Sequence, residues 1–321
     1  MVVDRSILRP MLLRLYIQPL FRLVPSTLSP NLITMIGLTA CLSMFGIVLI
    51  AGGRTAGLAA LCVVLLNVYI LADHFDGMQA KKYNRASRFG EFLDHFCDFF
   101  SGASIIVAVY SFTDMSSTWL VFVSIAYVFA FIASHFEHNA SGDLRFPLVG
   151  PLEALAIASC FFLLAFLHQD YWIRNNILGV QYQYLFAGTF LFGFLWCTFT
   201  TMSRMKPALK SCHFEFAAGV ILLGLCSLVL PDAWRQLWLI MVFFSAANTA
   251  SVLAGERLLT PKLVCRELPV LAVASTAVFY SLGLAVSDYT LWCNILLAYA
   301  VLRSAVCMYQ TVFHLHRFTK Q

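Results

Sequence analysis

Long apolar runs separated by short polar stretches dominate the pattern along this chain of 321 residues. One helix needs roughly 20 apolar residues to cross a bilayer core about 30 Å thick. Turn and charge signals such as Gly52-Gly53-Arg54 and Pro261-Lys262 separate the runs. We predict an all-α polytopic membrane bundle of about ten transmembrane helices, near residues 32–51, 56–72, 93–112, 117–138, 150–168, 182–203, 212–230, 234–255, 268–287 and 289–313.

The segment before these runs, residues 5–24, is apolar but contains two prolines that interrupt any continuous spanning helix. Arg14, Gln18 and Arg22 recur at four-residue spacing, which places them on one face of a helix. We therefore expect an N-terminal amphipathic helix, kinked and lying in the membrane interface. A signal peptide is the alternative, but no small-residue cleavage site follows the apolar stretch.

Composition supports the membrane interpretation. The chain is 60% hydrophobic and 12% charged, whereas soluble domains are about 45–50% apolar and about 25% charged. This balance excludes a soluble enzyme, a secreted disulfide scaffold and a disordered chain. The ten cysteines are scattered singly without a CxxC pair, so we expect them to act as small apolar packing residues.

The basic residues predict the orientation, because cytoplasmic segments of membrane proteins carry the excess of Lys and Arg. With an inside N-terminus, 17 of the 21 Lys and Arg residues fall in segments on the inner side. Three, Arg54, Arg174 and Arg235, fall outside, and Arg303 lies in the last span. Both termini are therefore predicted to be cytosolic. The net charge of +5 is explained by anionic lipid headgroups and needs no nucleic acid.

Five of the sixteen acidic residues crowd into residues 73–98, between the second and third predicted spans. Asp73 and Asp76 lie three residues apart and share one helix face. Asp94 and Asp98 lie on one stripe of the next helix, and Glu91 and His95 on the neighbouring stripe.

Four carboxylates at a membrane edge repel one another. Divalent cations with oxygen ligands would resolve this conflict, and Mg²⁺ with phosphate is the usual case. The alternative is that the acids only solvate the helix ends. Gly77, Ala80 and Gly90 each lie one helical turn from an aspartate. Small residues there leave room for a phosphate ligand, although they also favour close helix packing.

This stretch resembles the signature of the CDP-alcohol phosphotransferases, D-x2-D-G-x2-A-R-x8-G-x3-D-x3-D. Seven of the eight fixed positions match over 26 residues. Lys81 stands where the family usually has arginine, and lysine lacks the bidentate fork with which arginine binds phosphate. The matching residues are Asp73, Asp76, Gly77, Ala80, Gly90, Asp94 and Asp98.

Flanking residues resemble the choline/ethanolamine phosphotransferase branch of that family. The similar segments are 29–34 with Gly37, 79–81, 90–98, 141–144 and 150–153. Ten spans also suit this branch better than a six-helix core. Two features depart from it: Phe96 replaces a usual glycine, and residues 85–89 resemble the branch that uses CDP-diacylglycerol.

The resemblance implies roles for individual residues. It implies that two Mg²⁺ or Mn²⁺ ions, bridging the CDP diphosphate, are held by Asp73, Asp76, Asp94 and Asp98. It implies that the nucleotide is lined by Asn31, Gly77, Ala80, Lys81 and Gly90. His95 oriented by Glu91 is the expected base for the lipid hydroxyl, and Asp98 is the competing base.

The resemblance also implies a function in phospholipid biosynthesis. We expect transfer of a phospho-headgroup from CDP-choline or CDP-ethanolamine to diacylglycerol, with release of CMP. One alternative is a CDP-diacylglycerol-dependent enzyme with a small polar alcohol as acceptor, and a distant one is a transporter. We expect one membrane-embedded domain over 1–321, with a catalytic core at 26–210 and additional helices at 211–321.

The family further suggests a homodimer. The orientation predicted from the basic residues places the acidic stretch, and with it the active site, on the cytosolic side. The membrane would be the endoplasmic reticulum or Golgi in a eukaryote, or the inner membrane in a bacterium.

Two other polar features stand out. Glu137, His138 and Asn139 end the fourth predicted span, where they would recognise a cationic headgroup or solvate the helix end. Arg303 is costly to bury within a span, so we expect it to face a cavity, a carboxylate or the interface.

Overall fold

The computed structural model describes residues 2–4, 8–51, 54–142, 144–146, 150–205, 211–230, 233–254, 265–282 and 286–318. Several residues used in the topology prediction lie outside this described part. They are Arg5, Gly52, Gly53, Lys206, Lys210, Arg257, Pro261, Lys262 and Lys320.

The described residues are almost entirely helical, and each of the ten predicted apolar runs corresponds to one helix. The helices are α3 (Pro30–Ala51), α4 (Ala56–Lys82), α5 (Arg88–Tyr110), α6 (Ser117–Ser141), α7 (Pro151–Leu167), α9 (Tyr182–Met205), α10 (Ser211–Val229), α11 (Trp234–Ala254), α12 (Glu267–Leu282) and α13 (Val286–Phe318). Eight of these described helices are long and apolar enough to cross a membrane, while α7 and α12 are shorter apolar helices. The all-α polytopic membrane fold is confirmed, and the count of ten crossings stays a prediction.

The segment before α3 is helical but irregular. It consists of α1 (Arg9–Leu12), a π-helical stretch (Leu13–Ile17) and α2 (Gln18–Phe21). A proline lies in the first turn of both α1 and α2. Backbone N–H groups in a first turn have no partner within the helix, so the N–H that proline lacks is not missed there. The π-helical turn between the two prolines is the irregularity that the sequence predicts. Its position in the membrane interface stays a prediction.

Short strands complete the described secondary structure. Strand β1 (Val2–Asp4) pairs in parallel with β2 (Leu144–Phe146). A four-residue helix, α8 (Tyr171–Arg174), precedes the hairpin of β3 (Asn176–Ile177) and β4 (Val180–Gln181). Leu178 and Gly179 both have positive φ, as a two-residue hairpin turn requires.

The chain forms two compact units. Unit 1 comprises Met1–Met115 and Leu144–Gly193, and unit 2 comprises Ser116–Asp143 and Phe194–Gln321. Helix α9 begins in unit 1 and ends in unit 2. The core of unit 1 lies where α4 packs against α3 and α7. It includes the fully buried side chains of Met44, Leu66, Phe161 and Phe162.

Ion pairs and polar contacts tie the helices of unit 2 together. Arg204 forms a bidentate pair with Glu137, with nitrogen–oxygen distances of 2.6 and 2.7 Å. Arg303 Nε lies 2.9 Å from Glu267 Oε1. The expectation of a carboxylate facing Arg303 is therefore confirmed. The buried Glu137 is neither a solvated helix end nor free to bind a headgroup.

The cysteine prediction holds for most positions. All ten cysteines are free, and seven are buried: Cys41, Cys62, Cys97, Cys226, Cys265, Cys293 and Cys307.

Glu153 anchors the N-terminal segment to the start of α7. The side chain is 5% exposed. Its Oε1 accepts a hydrogen bond from the backbone N–H of Leu8 at 2.9 Å, and its Oε2 accepts one from Gly150 at 2.9 Å. One carboxylate thus satisfies two backbone donors that are far apart in sequence, and it lies in the 150–153 segment singled out above.

We expect Glu153→Gln to destabilise the protein by about 1–3 kcal/mol, because one of the two N–H groups then loses its acceptor in a buried place. The measurement is the thermal unfolding midpoint of the purified protein in detergent. Glu215→Gln is the matched control, since the pair of Glu215 with Arg266 is exposed and contributes little. Equal midpoints for wild type and Glu153→Gln would contradict the anchoring role.

Candidate active site

The acidic residues lie near the end of α4 and the start of α5. Helix α4 begins after Thr55, whose hydroxyl accepts from Leu58 N, and it runs ten residues past the predicted apolar run. Helix α5 begins after Ser87, whose Oγ accepts from Gly90 N at 3.0 Å. Because the two helices are joined by a short turn, the last turns of α4 and the first turns of α5 lie side by side.

The four signature aspartates form one cluster across these two helices. The carboxyl groups of Asp76 and Asp94 lie close enough to interact with each other. Those of Asp73 and Asp98 do the same. Each contact joins α4 to α5, so the two stripes read from the sequence do face each other. We call these four residues the carboxylate cluster.

His95 adds an imidazole to this cluster. Ligand atoms of Asp94, His95 and Asp98 all lie within 4.8 Å of one another, and all three residues are half-buried. Glu91 lies one turn before His95 on the same face of α5 and is exposed. The structure thus brings the candidate base and the candidate metal ligands together.

Protein groups hold three of the four carboxylates. Thr34 Oγ1 donates to Asp76 Oδ2 at 2.6 Å, and the backbone N–H of Gly77 donates to Asp76 Oδ1. Tyr69 OH donates to Asp98 Oδ1 at 2.9 Å. The Oδ2 atom of Asp73 lies 3.3 Å from His74 Nδ1.

The His74 contact fixes a tautomer. His74 Nδ1 is also 2.9 Å from the carbonyl oxygen of Ile70, which only accepts hydrogen bonds. This nitrogen therefore carries the proton. The contact orients the ring along its own helix, so His74 supports Asp73 rather than forming part of the reacting surface.

Asp94 differs from the other three aspartates. Its Oδ1 atom is buried and has no hydrogen-bond partner among the described residues. A buried carboxylate oxygen without a donor is costly, and three neighbouring carboxyl groups add like charge. Oxygen ligands at this density are what hard divalent cations bind. The donor set therefore fits a divalent metal, and Asp94 offers an open coordination atom.

The two glycines beside the cluster have different surroundings. Gly77 is exposed, and a Cβ built there meets no atom within 4 Å. At Gly90 a Cβ would lie 3.1 Å from both Asn31 Oδ1 and Ser87 Oγ. Asn31 is thus placed against Gly90. Gly77 borders open space beside Asp76.

The remaining predicted nucleotide residues lie on the last turn of α4. Ala80 is half-buried and Lys81 is exposed. Gln79 between Gly77 and these residues is fully buried, and its Nε2 donates to the carbonyls of Pro25 and Leu28 at 2.9 Å each. The loop before α3 is thereby fixed against α4.

Sequence reasoning did not assign roles to Thr34, Tyr69 and Gln79. Thr34 and Gln79 lie in segments that were singled out for their resemblance, but the spacing gives no sign of what they contact. Tyr69 lies one turn before Asp73, so its place on the acidic face was readable from helical periodicity.

The profile of the CDP-alcohol phosphatidyltransferase family matches residues 27–202. The chain belongs to the CDP-alcohol phosphatidyltransferase family. The matched region contains all eleven candidate site residues, from Asn31 to Asp98. The family uses divalent metals in catalysis, which agrees with the oxygen-rich donor set of the carboxylate cluster.

Curated relatives point to one branch of this family. The chain is 31% identical over 196 residues to cholinephosphotransferase 1 of Danio rerio, covering 58% of this chain and 51% of the relative. It is 35% identical over 174 residues to cholinephosphotransferase 1 of Homo sapiens, covering 50% and 41%. It is 28% identical over 179 residues to choline/ethanolaminephosphotransferase 2 of Arabidopsis thaliana, covering 54% and 46%. The matches span about half the length of these relatives.

Proposed function

We propose that this protein transfers phosphocholine or phosphoethanolamine from its CDP ester to diacylglycerol and releases CMP. The carboxylate cluster carries the proposal, because α4 and α5 bring all four signature aspartates together with His95 at one end of unit 1. The names of the curated relatives support the choice of branch.

The proposed chemistry is a phosphoryl transfer. The lipid hydroxyl oxygen forms a bond to the headgroup phosphorus, and the bond from that phosphorus to the bridging oxygen of CDP breaks. CMP leaves with the bridging oxygen, and the hydroxyl proton passes to His95. Glu91, on the same helix face, orients the imidazole.

The carboxylate cluster would hold the divalent cations. We propose two ions, Mg²⁺ or Mn²⁺, with ligands from Asp73, Asp76, Asp94 and Asp98. When bound, such ions neutralise the charge that develops on the transferred phosphoryl group and on the departing nucleotide. Gly77 leaves space beside them for the diphosphate, and Asn31 with Gly90 forms a wall of the nucleotide site.

The alternative is a CDP-diacylglycerol donor with a small polar alcohol, which the resemblance of residues 85–89 to that branch favours. Arg85, the first residue of that segment, contacts neighbouring protein groups in the structure. Its Nη1 donates to the carbonyl of Ser26 at 3.1 Å, and its guanidinium lies 5.4 Å from the centre of the Tyr83 ring. This supports a structural role for Arg85 over capture of an acceptor phosphate.

A donor assay separates the two alternatives. Purified full-length protein in lipid nanodiscs would receive radiolabelled CDP-choline, CDP-ethanolamine or CDP-diacylglycerol with the matched acceptor, with and without Mg²⁺. We expect metal-dependent CMP release with a CDP-headgroup donor and diacylglycerol. Release only with CDP-diacylglycerol would establish the alternative, and no metal-dependent release with any donor would overturn both.

Topology is part of the proposal. We propose that both termini and the carboxylate cluster face the cytosol, which the inner-side excess of Lys and Arg supports. Protease digestion of terminal tags in sealed vesicles with the cytosolic side outward tests this. We expect both tags to be cleaved, and a protected tag would show that its terminus lies on the opposite side. A homodimer and a core bounded at residue 210 stay predictions.

The space beside Gly77 gives a test of the nucleotide site. We expect Gly77→Ala to raise the KM for the CDP donor about 10-fold or more, the size of effect that one carbon has in a fitted pocket. Protein stability should not fall, because the added Cβ contacts no protein atom. Donor-dependent initial rates and thermal unfolding are the measurements.

Gly57→Ala is the matched control for this substitution, because Gly57 is also exposed on α4 with no atom within 4 Å of a built Cβ. It should leave KM unchanged. An unchanged KM in Gly77→Ala would show that the donor does not approach this face of α4.

A further inference from the structure

Two buried hydroxyl groups from outside the acidic motif touch the carboxylate cluster. Thr34 reaches it from α3, and Tyr69 from one turn before Asp73 on α4; each residue is 7% exposed. We propose that Thr34 and Tyr69 are positioning residues, which hold the carboxylates of Asp76 and Asp98 in the orientation that binds divalent cations. The inference rests on the proposed function, because it assumes that the carboxylate cluster is the metal site.

The direction of each hydrogen bond follows from the donors present. An ionised carboxylate only accepts, so the hydroxyls of Thr34 and Tyr69 must donate. Thr34 Oγ1 also lies 3.2 Å from the carbonyl of Pro30, the contact that a helical threonine commonly makes. The contact with Asp76 is shorter, at 2.6 Å, and a charged acceptor forms the stronger bond. The hydroxyl proton therefore points to Asp76.

The helix packing keeps Thr34 within reach. Gly37 lies one turn after Thr34 on α3, and a Cβ built there would be 3.0 Å from Ala72 Cβ and 3.4 Å from Tyr69 Cδ2. A side chain at this position would crowd α4, so glycine favours this close approach of α3 to α4. Because Thr34 and Tyr69 flank the same close contact, the two hydroxyls are placed by one packing feature.

The pattern of held and open oxygens suits metal binding. Asp76 has both oxygens engaged by protein donors, and Asp98 has one engaged by Tyr69. Asp94 Oδ1, in contrast, is buried without a partner among the described residues. Each held oxygen keeps a second lone pair for a cation. Removing a group that orients a metal ligand in this way typically weakens metal binding about 10–100-fold.

Mn²⁺ binding tests the inference without relying on turnover. Full-length protein in nanodiscs would be titrated with Mn²⁺, and free Mn²⁺ measured by electron paramagnetic resonance. We expect Thr34→Val and Tyr69→Phe to weaken the apparent Kd for Mn²⁺ about 10–100-fold. Thr34→Ser keeps the hydroxyl and should bind as the wild type does. In the donor assay, the metal concentration for half-maximal rate should rise while the rate at saturating metal recovers.

Controls separate positioning from packing. Thr39→Val removes a threonine hydroxyl that is exposed on α3 and donates to the Met35 carbonyl, and it should leave Mn²⁺ binding unchanged. Wild-type affinity in both Thr34→Val and Tyr69→Phe would overturn the inference, as would equal weakening in Thr34→Ser and Thr34→Val. If hydroxyl-dependent Mn²⁺ binding appears but no donor releases CMP, the positioning role stands and the proposed function fails.

Discussion

Replacing Asp94 by asparagine is expected to lower metal-dependent CMP release at least about 10²–10³-fold, the range found when one electrostatic contact to transition-state charge is lost. Asp94 combines a place in the carboxylate cluster with an Oδ1 atom that no described protein group engages. An amide at this position has one neutral oxygen and binds a hard cation weakly.

The same substitution should not destabilise the metal-free protein. Asp94→Asn removes one of four like charges packed across α4 and α5, and like charges in one site repel. We therefore expect an unfolding midpoint in a chelator equal to or above that of the wild type. Added Mg²⁺ should raise the midpoint of the wild type and have a smaller effect on Asp94→Asn, because a ligand stabilises only the state that binds it.

The control is Asp170→Asn, which removes an aspartate whose ion pair with Arg174 is exposed. It should change neither CMP release nor the response to Mg²⁺. Turnover near the wild-type rate in Asp94→Asn would remove Asp94 from the metal site. If Asp94→Asn loses turnover and its unfolding midpoint in chelator also falls strongly, Asp94 has a structural role instead.

The helices of this protein could be predicted because each apolar run must satisfy its own backbone in a bilayer, and only a helix does so within one segment. Periodicity also placed Asp73 and Asp76 on one face and Asp94 and Asp98 on another. The irregularity of residues 9–21 followed from the two prolines. These features depend on neighbours in sequence.

The contacts that support the site could not be predicted in the same way. Thr34 reaches Asp76 across 42 residues of chain, and the Glu137–Arg204 pair joins positions 67 residues apart. Such contacts depend on how each helix is rotated about its axis, which packing at places such as Gly37 decides. The ion pair between Arg303 and Glu267 likewise joins residues that are far apart in sequence.

His95 gives the second large expected effect. We expect His95→Gln to lower kcat about 10²–10⁴-fold, the usual contribution of a positioned general base. Glutamine retains hydrogen-bonding capacity at similar length but cannot accept a proton near neutral pH. The measurement is single-turnover CMP release at saturating Mg²⁺ and diacylglycerol, since this isolates chemistry from substrate binding.

His95 lies close enough to Asp94 and Asp98 to serve as a metal ligand instead, and Mn²⁺ binding distinguishes the two roles. If His95 is the base, His95→Gln should bind Mn²⁺ with wild-type affinity while its kcat falls. If His95 is a metal ligand, His95→Gln should bind Mn²⁺ more weakly, and excess metal should restore part of the rate. His168→Gln is the control, because His168 follows α7 and the next residue, Gln169, contacts Arg54 just before α4 begins, at the end of α4 away from the carboxylate cluster.

The outcome also decides between His95 and Asp98 as the base. If His95→Gln retains near-normal kcat, the proton must pass to another group, and Asp98 is the nearest candidate on the next turn of α5. Tyr69 OH donates to Asp98 Oδ1, so a protein donor already engages that oxygen. If Asp98 also binds a cation, as proposed, that carboxylate is a poor proton acceptor. His95 as the base stays our prediction, and this experiment decides between it and Asp98.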